Sequence, residues 1–218
     1  ERMLVSARAN PLTPLARVFT RQASIKSVAN RLLVEEYIRN HPEVEQVPIR
    51  KPLFILGFPR TGTTLLQNLL SLHSERRALQ FWELTTPVPV SSDLNEDRRK
   101  RLKVADQILK MAYFVAPEMG AVHEVRVDSV EECWPLFSPT FAVLNYDLQS
   151  GFDDYGRWIL THDMSGPYRQ YRRELQLLAH HRKTGQFVLK CPEHLWFLDA
   201  LFQVFPDANV VWTHRDPL

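Results

Sequence analysis

A short apolar run, a loop containing two glycines and a leucine-rich segment follow one another between residues 53 and 72. Leu53-Phe54-Ile55-Leu56 is a run of four consecutive apolar residues, which predicts a strand buried on both faces. After the loop, leucines recur at helical spacing at positions 65, 66, 69, 70 and 72. The segment therefore predicts a strand–loop–helix unit, which is the repeating element of parallel α/β folds.

Two more apolar runs predict strands near 186–190 and 209–213. Helical patterns near 94–115, 166–182 and 195–205 lie between the predicted strands or follow them. Strands separated by helices imply parallel connections. We therefore expect a three-layer α/β domain whose central parallel sheet is flanked by helices.

This α/β domain is predicted to occupy residues 51–218. The preceding 50 residues are predicted to form a loosely ordered arm over 1–22 and an amphipathic helix over 23–40, which ends near His41-Pro42. Further along the chain, the Ser129/Glu132 spacing predicts a capping box at the start of a short helix.

The composition excludes several classes of protein. A formal net charge of +2 over 218 residues does not suggest a nucleic-acid binder, and two cysteines form neither a disulfide framework nor a zinc motif. No apolar run reaches membrane-spanning length, and arginines interrupt the N-terminus where a signal peptide would need an apolar core. A cytoplasmic location is expected. Because the chain starts at Glu1 and stops directly after a predicted strand, we also expect it to be the N-terminal part of a longer protein.

The loop from Gly57 to Thr64 has the glycine spacing of a phosphate-binding loop. Such a loop points backbone N–H groups at one anion, and the following helix adds the positive end of its dipole. Thr63 stands where nucleoside-triphosphate enzymes carry a lysine, and Arg60 supplies a cation inside the loop instead. This pattern favours a donor with one phosphate joined to one sulfuryl group, bound without a metal.

The segment PRTGTTLLQNLLSLH resembles the 5′-phosphosulfate loop of PAPS-dependent sulfotransferases (PAPS is 3′-phosphoadenosine 5′-phosphosulfate). It is most similar to bacterial-type members, which carry arginine where the cytosolic human-type enzymes carry lysine. A second segment, FPDANVVWTHRDPL, resembles the strand and turn that bind the 3′-phosphate of the donor through an arginine, here Arg215. The resemblance covers residues 52–218 and is loose over 84–185.

The resemblance implies a P-loop-like fold and an enzyme that moves a sulfuryl group from PAPS to an acceptor hydroxyl by in-line displacement. Donor-binding residues carried over from the two segments are Arg60, Thr61, Gly62, Thr63, Thr64 and Arg215. Lys190 follows a predicted strand, and Lys190-Cys191-Pro192 resembles the turn whose lysine reaches the bridging region of the donor. Arg60 and Lys190 are therefore predicted to act in catalysis.

The general base is left open by the sequence. Several branches of the family take it from a glutamate in the region of Glu83, and flanking aromatic residues could raise the pKa of that carboxyl group. His194 is an alternative, because the cytosolic branch uses a histidine shortly after the lysine. His123-Glu124 is a third candidate.

The remaining features concern partners and rival functions. The basic run at 98–101 is interpreted as the solvated face of a helix, without nucleic acid as a partner. Aromatic residues between 81 and 158 favour a small-molecule acceptor with apolar or aromatic character. A P-loop kinase or NTPase and a non-catalytic nucleotide-binding protein remain the alternative functions.

Overall fold

The computed structural model describes residues 2–118, 120, 124–182 and 185–216, except for the side chains of residues 148 and 149. In this part of the chain, two helices precede the first strand and five helices lie between the second and third strands, and three 3₁₀ turns cover Pro42–Gln46, Trp134–Thr140 and Pro192–Trp196. The helices and strands are, in chain order, Arg2–Ala9 (α1), Pro14–Asn40 (α2), Leu53–Gly57 (β1), Thr63–Ser71 (α3), Arg76–Ala78 (β2), Phe81–Thr85 (α4), Leu94–Val115 (α5), Asn145–Ser150 (α6), Asp153–Leu160 (α7), Ser165–His181 (α8), Gln186–Lys190 (β3), Leu198–Val204 (α9) and Asn209–Thr213 (β4).

The described strands form one parallel sheet in the order β2-β3-β1-β4. The three strands predicted from sequence are confirmed with their bounds, and β1 is buried along its whole length. Strand β2 was missed, because Arg76-Arg77-Ala78 is short and largely polar and lies at the edge of the sheet. A predicted three-stranded sheet is thus corrected to four strands.

Helices cover both faces of the sheet, which confirms the three-layer α/β prediction. On one face, Leu66 and Leu70 of α3 pack against Ile55 and Val188. On the other face, a larger core contains Phe54 and side chains of α8 and α9. Because alternate residues of a strand point to opposite faces, β1 needs apolar residues at every position to serve both layers.

The N-terminal region differs from the prediction in one respect. Residues 2–9 are helical and α2 begins at Pro14, so the predicted arm is wrong over most of its length. Thr13 caps α2 through a hydrogen bond from the Ala16 N–H, and Pro14 is suited to the first helical position. The predicted end at His41 is confirmed. The start was missed because large apolar residues along α2, such as Leu15, remain exposed and obscure the helical period.

Helix α5 begins and ends as predicted, with Asp93 as its N-cap. The basic run on this helix is solvated in part, since residues 98–100 are exposed. Arg101 departs from the prediction: it is 2% exposed, donates to Asp97 Oδ2 at 2.9 Å and lies 4.5 Å from the ring centre of Trp82. It therefore forms a buried ion pair within α5 and a cation–π contact that joins α5 to α4.

Membrane-spanning helices and clustered metal ligands are both absent from the described residues. No described helix is both long and apolar enough to cross a membrane. Within the same ranges, no group of three or more histidine, cysteine, aspartate or glutamate side chains is arranged to hold a metal ion.

A buried carboxyl group on α8 predicts an unusual pH dependence of stability. Glu174 is fully buried, and burial raises its pKa from 4.5 to about 8. The folded protein therefore keeps this proton up to about pH 8, whereas the unfolded chain releases it near pH 4.5. Stability consequently falls as pH rises through this window.

We expect Glu174→Gln to increase the free energy of unfolding by about 3 kcal/mol at pH 7 and to have little effect at pH 4.5. The amide mimics the protonated acid and has no proton to lose. Urea denaturation at both pH values measures the difference, with Glu36→Gln on the exposed side of α2 as a matched control. An equal effect at the two pH values would contradict the buried-acid explanation.

Candidate active site

The loop between β1 and α3 is held tightly against the end of β4. A Cβ atom added at Gly57 would lie 2.3 Å from Thr213 Oγ1, so this position requires glycine. The Thr61 hydroxyl donates to the Phe58 carbonyl at 2.7 Å and shares a hydrogen bond of 2.7 Å with Thr213 Oγ1. These contacts fix the loop at the carboxyl edge of the sheet.

The loop turns through two left-handed residues before the helix begins. Arg60 has φ 71° and Gly62 has φ 87°. Gly62 is the N-cap of α3 and contributes no side-chain cap, so the first-turn N–H groups of Thr63 and Thr64 are free for an external acceptor. A non-glycine residue in this conformation is strained, and such strain is common where a loop is shaped for a ligand. The Arg60 side chain is exposed.

Lys190 extends from the end of β3 to the loop. Its Nζ donates to Thr64 Oγ1 at 3.1 Å and to Glu132 Oε1 at 2.8 Å, and the residue is 2% exposed. Strand register explains the approach, since Lys190 pairs with Ile55, two residues before the loop. The structure thus brings together Lys190 and the predicted phosphate loop, which are separated by more than 120 residues in sequence.

Arg215 also lies at this edge. Thr213 pairs with Gly57 at the end of β4, and Arg215 follows two residues later. Its Nη1 donates to the Arg60 carbonyl at 3.4 Å, and its side chain is exposed. The carboxyl ends of three adjacent strands therefore present Arg60, Lys190 and Arg215 around one loop, where open α/β sheets bind their ligands.

Glu83 lies in a different setting from the one predicted. It is 2% exposed and forms an ion pair with Arg77 through Oε1, while Oε2 accepts from the Gln80 N–H at 3.0 Å. Gln80 and Glu83 form a reciprocal capping box at the start of α4. Both carboxylate oxygens are engaged, and Arg77 ties the pair to the C-terminal end of α8 by donating to Leu178 O at 3.1 Å. These contacts argue against Glu83 as the base.

The predicted capping box at Ser129 and Glu132 is wrong. The 3₁₀ turn that follows starts at Trp134 with Cys133 as its N-cap. Ser129 instead donates to Glu131 Oε1 at 2.9 Å, and Glu132 is bound to Lys190.

His194 is a core residue. It is 0% exposed, with Nδ1 2.7 Å from Tyr168 Oη and Nε2 3.3 Å from Cys133 Sγ. Burial lowers the pKa of His194 from 6.5 to about 3. A histidine with both nitrogens engaged and no contact with solvent has no path to an acceptor, so the structure argues against this alternative. Of the third candidate pair, Glu124 is exposed and His123 lies outside the described residues.

Glu132 is the acidic residue that sequence reasoning did not propose for this site. It reaches Lys190 at 2.8 Å and keeps 28% of its side chain exposed. The sequence offered one signal, a pair of adjacent acids at Glu131-Glu132 in an otherwise mixed stretch. The sequence pattern does not show the path of the backbone, so it does not reveal whether Glu131 or Glu132 points toward the loop.

The groups gathered at this edge of the sheet are suited to an anionic ligand. A glycine-shaped loop, a free helix N-terminus, three cations and one partly exposed carboxylate meet at the carboxyl ends of parallel strands. This is the arrangement of the P-loop-like class of α/β proteins, with a lysine supplied by a neighbouring strand in place of the one usually found in the loop.

The chain belongs to the Sulfotransferase family, whose sequence profile matches residues 52–218. Two crystal structures of mycobacterial proteins are similar over nearly the whole chain. The sulfotransferase STF1 from Mycobacterium tuberculosis H37Rv is 28% identical with a TM-score of 0.81, over 98% of this chain and 59% of that one. The sulfotransferase STF9 from Mycobacterium avium is 33% identical with a TM-score of 0.82, over 96% of this chain and 54% of that one.

The chain thus spans between half and three fifths of the length of these two proteins. No curated protein sequence matches it significantly. The likeness in structure confirms the predicted P-loop-like α/β fold.

Proposed function

We propose that this protein transfers a sulfuryl group from PAPS to the hydroxyl group of a small molecule. The observation that carries the proposal is the contact between Lys190 Nζ and Thr64 Oγ1, which brings a buried cation to the phosphate loop. A cation there can neutralise charge that develops on the bridging oxygen of a phosphosulfate as the bond to sulfur breaks. Membership of the Sulfotransferase family supports this reading.

The donor is proposed to lie across the carboxyl edge of the sheet. The N–H groups of Gly62, Thr63 and Thr64, with the Thr61 side chain shaping the loop, are suited to the 5′-phosphosulfate oxygens. Arg60 is proposed to supply a cationic fork for the oxygens of the transferred group. Arg215 is proposed to bind the 3′-phosphate, because its exposed side chain begins beside the loop. PAPS, held by these contacts without a metal, is the proposed co-substrate.

The chemistry divides among these groups. An in-line displacement at sulfur spreads negative charge over the transferred oxygens and onto the leaving phosphate. The loop N–H groups and Arg60 stabilise the charge on the transferred oxygens, and Lys190 stabilises the charge on the leaving phosphate. Because Lys190 is almost fully buried, its charge acts in a medium of low dielectric, where it is more effective than in water.

The acceptor is proposed to carry an apolar or aromatic portion. The basis is the number of aromatic residues between positions 81 and 158. Two of them, Tyr155 and Trp158, line a cavity of about 960 Å³ between α1, α2 and α7, whose lining residues include neither the phosphate loop nor Lys190. Phe114, by contrast, is 84% exposed.

A binding test separates the sulfotransferase from the alternative of a P-loop kinase or NTPase. We expect the full-length protein to bind adenosine 3′,5′-bisphosphate in the presence of EDTA, since three protein cations take the place of a metal. Calorimetry should give the same affinity with and without Mg²⁺, and ATP with Mg²⁺ should bind more weakly. Tight ATP binding that depends on Mg²⁺ would contradict the proposal.

Turnover is tested by a screen of alcohols and phenols with PAPS, read by mass spectrometry for a mass increase of one sulfuryl group. A sulfated product excludes the non-catalytic alternative. Binding of the bisphosphate with no product from any hydroxyl compound would favour that alternative instead.

A further inference from the structure

We propose that Glu132 is the general base that takes the proton of the acceptor hydroxyl, an inference that rests on the proposed sulfotransferase function. A base must lie within hydrogen-bond reach of the reacting hydroxyl and must have an oxygen free to receive the proton. Among the described acidic residues at the carboxyl edge of the sheet, Glu132 contacts the lysine beside the loop and has one carboxylate oxygen that accepts no hydrogen bond.

The backbone around Glu132 is anchored on both sides. The Glu131 N–H donates to the Leu79 carbonyl at 3.0 Å, just beyond β2, and the Cys133 N–H donates to the Lys190 carbonyl at 3.0 Å, at the end of β3. Glu132 is therefore held on a short span between two strand ends. A reacting group needs such a rigid support to keep its geometry through the transition state.

One carboxylate oxygen is occupied and the other is available. Oε1 accepts from Lys190 Nζ at 2.8 Å. Within the described part of the chain, Oε2 makes no hydrogen bond, and the side chain is 28% exposed. Glu132 can therefore be reached from solvent on one side while Lys190 fixes its orientation on the other.

Lys190 links the proposed base to the donor loop. Its ammonium group has three N–H donors, of which one goes to Thr64 Oγ1 and one to Glu132 Oε1. The third is left for the bridging oxygen of the donor. The distances place Glu132, Lys190 and the loop in one continuous chain of contacts, so that proton acceptance and leaving-group stabilisation occur on neighbouring side chains.

In the proposed step, proton transfer to Glu132 accompanies displacement at sulfur. Glu132 Oε2 takes the hydroxyl proton as the acceptor oxygen forms a bond to sulfur. The bond between sulfur and the bridging oxygen breaks, and its electron pair stays on the phosphate of the leaving adenosine 3′,5′-bisphosphate, next to Lys190. The products are the sulfate ester, the bisphosphate and protonated Glu132, which returns its proton to water.

The test compares Glu132→Gln with Glu131→Gln in the full-length protein, using PAPS and the acceptor recovered in the screen. The two variants remove the same charge from adjacent positions, and the Glu131 carboxylate accepts a hydrogen bond from the Ser129 hydroxyl at 2.9 Å. We expect Glu132→Gln to lower kcat about 10²–10⁴-fold and Glu131→Gln to leave it near that of the unmodified protein. Glu132→Asp keeps a carboxylate and should restore part of the rate.

Two further readouts distinguish a base from a residue that only positions Lys190. The fall in kcat/KM of the unmodified protein at low pH reports protonation of the base, and Glu132→Gln should lose this limb. Calorimetric affinity for adenosine 3′,5′-bisphosphate should be unchanged or tighter in Glu132→Gln, since a negative charge near the donor is removed.

Each contrary result has a distinct meaning. If Glu132→Gln retains its rate or its acid limb, or if it loses bisphosphate affinity in step with its rate, Glu132 is not the base. If the unmodified protein neither binds the bisphosphate nor sulfates any acceptor, the proposed function itself fails, and the assignment of Glu132 fails with it.

Discussion

Replacing Lys190 with methionine is expected to lower kcat for sulfuryl transfer about 10³-fold or more, because a buried and preorganised charge is usually among the largest catalytic contributions. Methionine has a similar length and suits a site that is 2% exposed, so the substitution removes the charge with little change in packing. The measurement is single-turnover transfer from PAPS. KM for the acceptor should change much less than kcat, since Lys190 is proposed to act on the leaving group.

Lys100→Met provides the matched control. Lys100 is exposed on α5 and forms a surface ion pair with Glu96 at 2.9 Å, so its loss should leave transfer unchanged. Circular dichroism and thermal melting show whether Lys190→Met folds, and Glu132 is sufficiently exposed to be hydrated once its partner is gone. A correctly folded Lys190→Met variant with near-normal kcat would remove Lys190 from the mechanism.

The central part of the fold could be predicted because it follows from a simple physical requirement. A parallel strand covered by helices on both faces must be apolar at consecutive positions, so β1 and β3 appear in the sequence as short apolar runs. Strand β4 carries a similar apolar run, although it lies at the edge of the sheet and none of its residues is buried. Strand β2 carries two arginines at the edge of the sheet, and its pairing with β3 depends on backbone hydrogen bonds that side-chain patterns do not report. The arm predicted for residues 1–22 failed for a related reason, since a helix with an exposed apolar side has no clear period.

Some residues of the candidate site could be predicted from the sequence and others could not. Glycine spacing, the ends of the predicted strands and the family resemblance pointed to Arg60, Lys190 and Arg215, and the structure places all three at one edge of the sheet. The general base could not be predicted in this way, because the role of a carboxylate depends on the side chains around it, which the sequence does not show. Glu83 and Glu132 are both partnered by a cation, yet one is enclosed with Arg77 and the other faces the loop with Lys190.

A second expected result tests the structural role given to Glu83. Glu83→Gln should lower the free energy of unfolding by about 3–5 kcal/mol, because it removes the negative charge from a buried ion pair with Arg77. The side chains of Arg77 and Glu83 are 13% and 3% exposed, so water can solvate little of either one. In a domain of this size the loss corresponds to a fall in melting temperature of about 10 °C.

A double-substitution cycle isolates the ion pair from the other contacts of Arg77. Arg77 also donates to the Leu178 and Arg182 carbonyls at the end of α8, so Arg77→Met alone removes more than the pair. The double variant should nevertheless be more stable than the sum of the single losses predicts, since neither charge is then left buried alone.

Sulfuryl transfer by the folded fraction of Glu83→Gln tests whether Glu83 acts in catalysis. If Glu83 is structural, kcat for each folded molecule is preserved at a temperature well below the transition. A variant that remains stable but has lost sulfuryl transfer would instead assign the role of general base to Glu83 and contradict its assignment to Glu132.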